Sequence, residues 1–183
     1  LLNISSLLAV EHLPSRISGA YVAPSWNVWL ISDKNGCIRT DPALSKIEYY
    51  STANNRLNGN RVSVIHEDRE KNTWILTECG LAGIRPGDDS PRIYFGENQS
   101  EAQAFYCVME SNDVLWFGAD EGKIQCYHKK EQTFELFDTN TNSRVKHLIY
   151  TAEGQVLIGT EREGFLVYDS LNNRFEHYHT RNS

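Results

Sequence analysis

The sequence predicts an all-β chain, a β-propeller fragment of about four blades, each a four-stranded antiparallel sheet. Three observations predict it: a motif that recurs four times, a glycine at the same point of each copy, and prolines confined to the segments between apolar runs. The anchors are Trp29 in "VWLISDKNGCIRT", Trp74 in "TWILTECGLAGI", Trp116 in "LWFGADEGKIQCY" and Leu157 in "VLIGTEREGFLVY", at spacings of 45, 42 and 41 residues. A fixed period of this size marks stacked or radial repeats, which have to be recognised before any single element is assigned. Other features keep step with the anchor. An acid follows it by four residues each time, at Asp33, Glu78, Asp120 and Glu161, and a glycine by six or seven, at Gly36, Gly80, Gly122 and Gly164.

Each copy resolves into four strands. Strand A is an apolar, β-branched run such as "RVSVIHED" or "RVKHLIYT", closed by a polar turn such as "REKNT" or "AEGQ". Strand B carries the anchor. The acid-to-glycine segment is a tight hairpin, because glycine enters the positive-φ region at little steric cost. Strand C follows, as in "KIQCY" or "FLVYD"; a longer loop then leads to strand D, opened by Ile47, Ile93, Phe134 or Phe175. The prolines, Pro14, Pro24, Pro42, Pro86 and Pro91, all fall in the proposed loops, where they remove no ladder hydrogen bond. Apolar residues at helical three-to-four spacing are missing from these runs, which disfavours a helical repeat of similar period. The blades are placed at about 13–56, 57–99, 100–140 and 141–180, with 1–12 as an N-terminal strand or linker. The repeated tryptophan is expected to pack between blades.

A chain of 183 residues is long enough to bury roughly 70% of its unfolded surface. With 40% hydrophobic and 23% charged residues it has the composition of a folded globular chain. A net charge of −6 without a basic cluster argues against nucleic acid as a partner. Cys37, Cys79, Cys107 and Cys126 have neither CxxC spacing nor matched places in the repeat, and are read as small buried apolar residues. The apolar run Leu7–Val10 is too short to span a bilayer and lacks a basic flank, so any membrane link would run through segments absent from this sequence. The first residue, Leu1 rather than Met, points to excision from a longer polypeptide or to processing.

Two sets of residues offer binding chemistry. Arg16, Arg61, Gln103 and Arg144 stand thirteen residues before the anchors, and strand A starts of a propeller cluster around one mouth of its channel. Their planar donors suit the hydroxyl pairs or carboxylates of a saccharide. The same positions can equally form salt bridges with the repeat acids of their own or a neighbouring blade. Trp26, in the turn "PSWN", lies outside the repeat as read from sequence, at the opposite end of strand A. It can stack on a sugar ring or cover the base of the first blade. His177 and His179 share a strand face, but no third ligand stands near them in sequence, and no metal is expected. His66 and His147 sit in strand A at different offsets and suit packing or channel lining. Neither a nucleophile elbow, a Walker loop, a His-Glu-x-x-His motif nor a dinucleotide glycine loop is present. No catalytic residue and no cofactor is therefore assigned.

The strings "DREKNTWILTECGLAGI", "SNDVLWFGADEGKIQCY" and "AEGQVLIGTEREGFLVYDSLNNRFEHY" resemble the two-component regulator propeller repeat. Gly159–Thr160 reproduces its Gly-Thr pair, Gly80–Leu81 its Gly-Leu pair and Tyr168–Asp169 its Tyr-Asp pair. The likeness runs over about residues 13–180 and is weakest in the first blade, which lacks the Gly-Thr pair. It implies a ligand-sensing segment from the periplasmic part of a hybrid two-component system, recognising an oligosaccharide and signalling through a membrane helix to a histidine kinase. Such sensors usually have more than four blades per ring, so the chain is expected to be part of a longer one, to close on its own, or to self-associate. The alternatives are a propeller-scaffold polysaccharide lyase or glycosidase, or a protein-binding scaffold.

Overall fold

The computed structural model describes residues 16–95, 103–169, 172 and 174–178. The proposed segment 1–12, Pro14 and His179 lie outside the described residues. Every regular element among them is a strand, and the strands form four four-stranded antiparallel sheets in simple up-and-down order. The first blade holds β1 (Ile17–Val22), β2 (Val28–Ser32), β3 (Cys37–Thr40) and β4 (Ile47–Tyr50). The second holds β5 (Val62–Glu67), β6 (Thr73–Thr77), β7 (Gly80–Ile84) and β8 (Arg92–Tyr94). The third holds β9 (Phe105–Ser111), β10 (Val114–Ala119), β11 (Lys123–His128) and β12 (Thr133–Asp138). The fourth holds β13 (Val145–Tyr150), β14 (Val156–Thr160), β15 (Phe165–Asp169) and β16 (Arg174–Tyr178).

The chain divides into two compact units, residues 1–102 with the first two blades and 103–183 with the last two. In the first unit Trp29, Cys37 and Tyr50 of blade one pack on Ile65, Ile75 and Ala82 of blade two. In the second, Met109, Trp116 and Ile124 of blade three pack on Leu148, Ile158 and Leu166 of blade four. Strand alternation explains both seams, since partners in register share a face: Met109 pairs Trp116, and Leu148 pairs Ile158. Fully burying an aliphatic side chain such as Ile75 contributes about 1.5–3 kcal/mol. Trp29, Trp74 and Trp116 are all buried.

The hairpin between strands B and C turns at Gly36 and Gly122 in the two units, at φ of 79° and 66°. A side chain at Gly36 would also be blocked, because its Cβ would lie 1.9 Å from the Tyr50 carbonyl oxygen. These glycines join neighbouring blades: the Gly36 N–H donates to the Asn60 carbonyl, and the Gly122 N–H to the Ser143 carbonyl.

The turn between strands A and B has one geometry in three blades. Ala23, Asp68 and Thr151 each donate an N–H to the residue four places on and accept one from the residue three places on. The residue three places on, Trp26, Lys71 or Gly154, has φ of 66°, 66° and 83° respectively. It is a three-residue hairpin loop with its last residue in the left-handed region. Blade three has a shorter turn, with Ser111 facing Val114 directly.

Candidate functional site

The repeat acids hold the arginine positions in three different ways. In blade one Arg16 Nε lies 3.1 Å from an Asp33 carboxylate oxygen. In blade two the exposed Arg61 guanidinium has no ion pair among the described residues; Glu78 instead accepts from the Arg61 backbone N–H at 2.7 Å. Arg144 bridges two blades, 3.0 Å from Asp120 Oδ1 and 3.6 Å from Glu161 Oε1. Asp120 also accepts from the Tyr106 hydroxyl at 2.9 Å, and the Arg144 guanidinium lies 5.3 Å from the Tyr106 ring centre. The hydrogen bond to Asp120 raises the Arg144 pKa above its ordinary value. Burial, then the bond to Asp120, push the Tyr106 phenol up to about 12. Gln103 shares a blade end with Arg144 but not its partners. Its buried Nε2 has no hydrogen-bond partner among the described residues. A polar groove of about 330 Å³ runs between the Asp120 and Glu161 hairpins, past Arg144 and Arg162. Its arginines already face carboxylates, Arg162 lying 3.8 Å from Glu161.

Trp26 has a different setting. The sequence places it outside the repeat, whereas the structure puts it on the left-handed position of the repeated turn, where the other blades carry Lys71 and Gly154. A bulky aromatic residue is disfavoured there, because its Cβ crowds the backbone. Its side chain is nonetheless 72% exposed. With Tyr21, Val22, Ala23 and Pro24 it lines a groove of about 390 Å³, within the size range of small-ligand sites.

The neighbouring blade holds this turn in place. Glu67, at the end of β5 and only 6% exposed, accepts hydrogen bonds from the Ser25 backbone N–H at 2.8 Å and from the Ser25 hydroxyl. Asn27 Nδ2 donates to Ser25 Oγ, and the Glu67 N–H donates to the Tyr21 hydroxyl at 3.1 Å. Sequence reading missed Glu67 and Tyr21. An acid in a strand A run carries no local signal, and their partners are 42 and 46 residues away.

A second departure lies beneath the same turn. In blade two Asp68 Oδ2 accepts from Trp74 Nε1 at 2.9 Å while Asp68 also receives the Asn72 N–H, and in blade three Ser111 Oγ accepts from Trp116 Nε1 at 3.1 Å. The place of Asp68 in blade one is Ala23. Trp29 Nε1 there is buried without a hydrogen-bond partner among the described residues. The missing acceptor is visible in the sequence once the turns are aligned.

The cysteines form no disulfide. Cys37 and Cys126 are buried as expected, but Cys79 and Cys107 are only half-buried. Burial raises the thiol pKa of Cys37 and Cys126 and pushes Cys107 up to about 12, which keeps all three protonated and poor as nucleophiles or metal ligands. His177 and His147 are exposed. Among the described residues there is no cluster of three or more His, Cys, Asp or Glu able to hold a metal ion.

Sixteen strands among the described residues, in four up-and-down sheets, with Gly36 and Gly122 each bonding to the next blade of its own unit, define a stretch of β-propeller. No family model matches the sequence, nor does any curated protein. Among solved structures, the chain is similar to the extracellular domain of the hybrid two-component system BT4673 from B. thetaiotaomicron, with a TM-score of 0.76 at 19% identity, covering 94% of this chain and 23% of that one. The extracellular domain of the hybrid two-component system BT3049 from B. thetaiotaomicron gives 0.70 at 16% identity, again covering 94% and 23%. A virginiamycin B lyase from Staphylococcus aureus, solved with quinupristin, gives 0.68 at 20% identity, covering 95% and 59%. At such identities the likeness is one of fold, and the chain spans about a quarter of the length of the two-component domains.

Proposed function

We propose that this chain is a ligand-binding segment of a periplasmic sensor propeller, that it recognises a carbohydrate at the Trp26 turn, and that the signal passes across the membrane through other parts of a longer polypeptide. The observation that carries the reading is Trp26 itself, an exposed indole on a left-handed backbone position, in a turn that Glu67 holds through Ser25, beside an open apolar groove. Backbone strain persists only where surrounding structure enforces it, and it concentrates at binding and switching sites. An indole, with only two side-chain torsions to order, offers an apolar face to a pyranose ring at low entropic cost. The fold shared with two-component extracellular domains supports the sensor setting.

The repeated acids weigh against a lyase or glycosidase on this scaffold. Asp33 and Asp120 face arginines, Glu161 sits between Arg144 and Arg162, and Glu78 is taken up by a backbone N–H. A hydrolytic pair needs one carboxyl held protonated beside a second that stays ionised. The test is titration with a panel of acidic and neutral oligosaccharides, followed by tryptophan fluorescence and by product analysis. Saturable quenching without product, lost in Trp26→Ala by about tenfold or more in affinity (~1.4 kcal/mol), supports the reading. Turnover of any oligosaccharide, or equal binding by the variant, overturns it.

A further inference from the structure

The A–B turn of blade two is built around a carboxylate, and the same turn of blade one lacks one. In blade two Asp68 Oδ1 accepts the Asn72 N–H at 2.8 Å and Asp68 Oδ2 accepts from Trp74 Nε1 at 2.9 Å, so two donors hold the two oxygens of one carboxylate. Blade one repeats the donors on a turn of the same backbone pattern, with Asn27 in the place of Asn72 and Trp29 in that of Trp74. The methyl group of Ala23 replaces the acceptor. Neither the Asn27 N–H nor Trp29 Nε1 has a hydrogen-bond partner among the described residues, and Trp29 is fully buried. Asn27 Nδ2 turns to Ser25 Oγ, whereas its counterpart on Asn72 also reaches Asp68.

A buried donor without an acceptor is costly, so a partnerless indole N–H beside a second partnerless N–H points to an acceptor from outside the chain. Ala23, Pro24 and Trp26 line the groove of about 390 Å³ at this turn, so the residue that lacks the carboxylate belongs to the wall of the groove that carries the exposed indole. A carboxylate is the group that suits the donors. Blade two shows this turn holding both of its oxygens, and hydrogen bonds to an ionised oxygen are roughly twice as strong as those between neutral groups. The fold already tolerates a carboxylate next to Glu67, since Asp68 follows it in the chain and both are buried.

We infer that blade one carries a carboxylate-binding subsite, in which the Asn27 N–H and Trp29 Nε1 receive the carboxylate of an acidic saccharide past Ala23 while Trp26 takes the face of its ring. The inference rests on the carbohydrate reading of the Trp26 turn and names the ligand class, an oligosaccharide containing a uronic acid. A neutral sugar leaves both donors as they are in the free chain, and a site with polar groups left unpaired discriminates against such an analogue.

The probes are an oligogalacturonate and the same oligomer with its carboxyl groups reduced to hydroxymethyl, each titrated into the isotope-labelled chain while the indole N–H resonances are followed by NMR. Trp29→Phe assigns the Trp29 resonance by its loss. The acidic oligomer is expected to bind about tenfold or more tighter than the reduced one and to move the Trp29 resonance downfield, which the reduced one does not. Ala23→Asp supplies the carboxylate from within the chain. It is expected to stay folded, with a Tm no lower than wild type, and to bind the acidic oligomer no tighter than the reduced one. An acidic oligomer that fails to bind or binds no tighter than the reduced one, a Trp29 resonance unmoved at saturation, or an undiminished acid preference in Ala23→Asp overturns the inference. Where Trp26→Ala weakens the binding of both oligomers, the Trp26 reading survives that outcome; equal binding by Trp26→Ala overturns that reading instead.

Discussion

Glu67 of blade two holds Ser25 of blade one by both its backbone N–H and its hydroxyl, fixing the turn that displays Trp26. Replacing Glu67 by Ala leaves the Ser25 donors without their acceptor in a part-buried site, at a cost of about 1–3 kcal/mol. The urea midpoint should fall with an unchanged m-value, and Trp26 fluorescence should become more readily quenched by acrylamide. An unchanged midpoint would show that the clasp contributes nothing.

Trp29 Nε1 has no acceptor because Ala23 stands where blade two has Asp68. Ala23→Asp should rebuild the second-blade arrangement, since Asn27 occupies the place of Asn72 and Trp29 that of Trp74. Supplying the partner is expected to stabilise the fold by about 1 kcal/mol, which at this chain length raises the Tm by about 2–4 °C. A lower Tm would show that the cost of burying the carboxylate outweighs the new bonds.

Trp26 trades stability for display. Trp26→Gly should stabilise the chain by roughly 0.5–1 kcal/mol, the left-handed cost of about 1–2 kcal/mol less the greater chain entropy of glycine. The same variant should lose oligosaccharide binding. Thermal melts and ligand titrations on one preparation would expose the opposite signs, and a destabilised Trp26→Gly would mean that the indole packs rather than waits.

Tyr106 predicts an alkaline limit. Its folded pKa of about 12 lies above the ordinary value of 10.0, so between these the native chain keeps a proton that the unfolded chain gives up. The contribution is full below pH 10 and is lost as pH rises towards 12. Tyr106→Phe should flatten the fall of the urea midpoint across that window, in part only, because Tyr49, Tyr50 and Tyr168 are also shifted upward. An identical slope in the variant would remove Tyr106 as a source.

The strands were legible in the sequence because their signals are local. Alternation around Trp29, Trp74 and Trp116, a positive-φ glycine in each B–C hairpin and prolines at the loops each act within a few residues. The candidate site was legible only in outline. Trp26 stood out as an unusual residue, but its place on the left-handed corner of a shared turn appeared only when the hydrogen bonds of three blades were compared.

What the sequence determined by itself was the blade: period, strand order, and which face of each strand is apolar, all consequences of backbone geometry and a two-residue side-chain repeat. Tertiary structure decided which side chains meet across blades. Glu67 reaches Ser25 over 42 residues, and Arg144 turns to Asp120 of the preceding blade over 24. Such pairings depend on side-chain direction and on the stacking of one sheet against the next, and no short-range pattern encodes either.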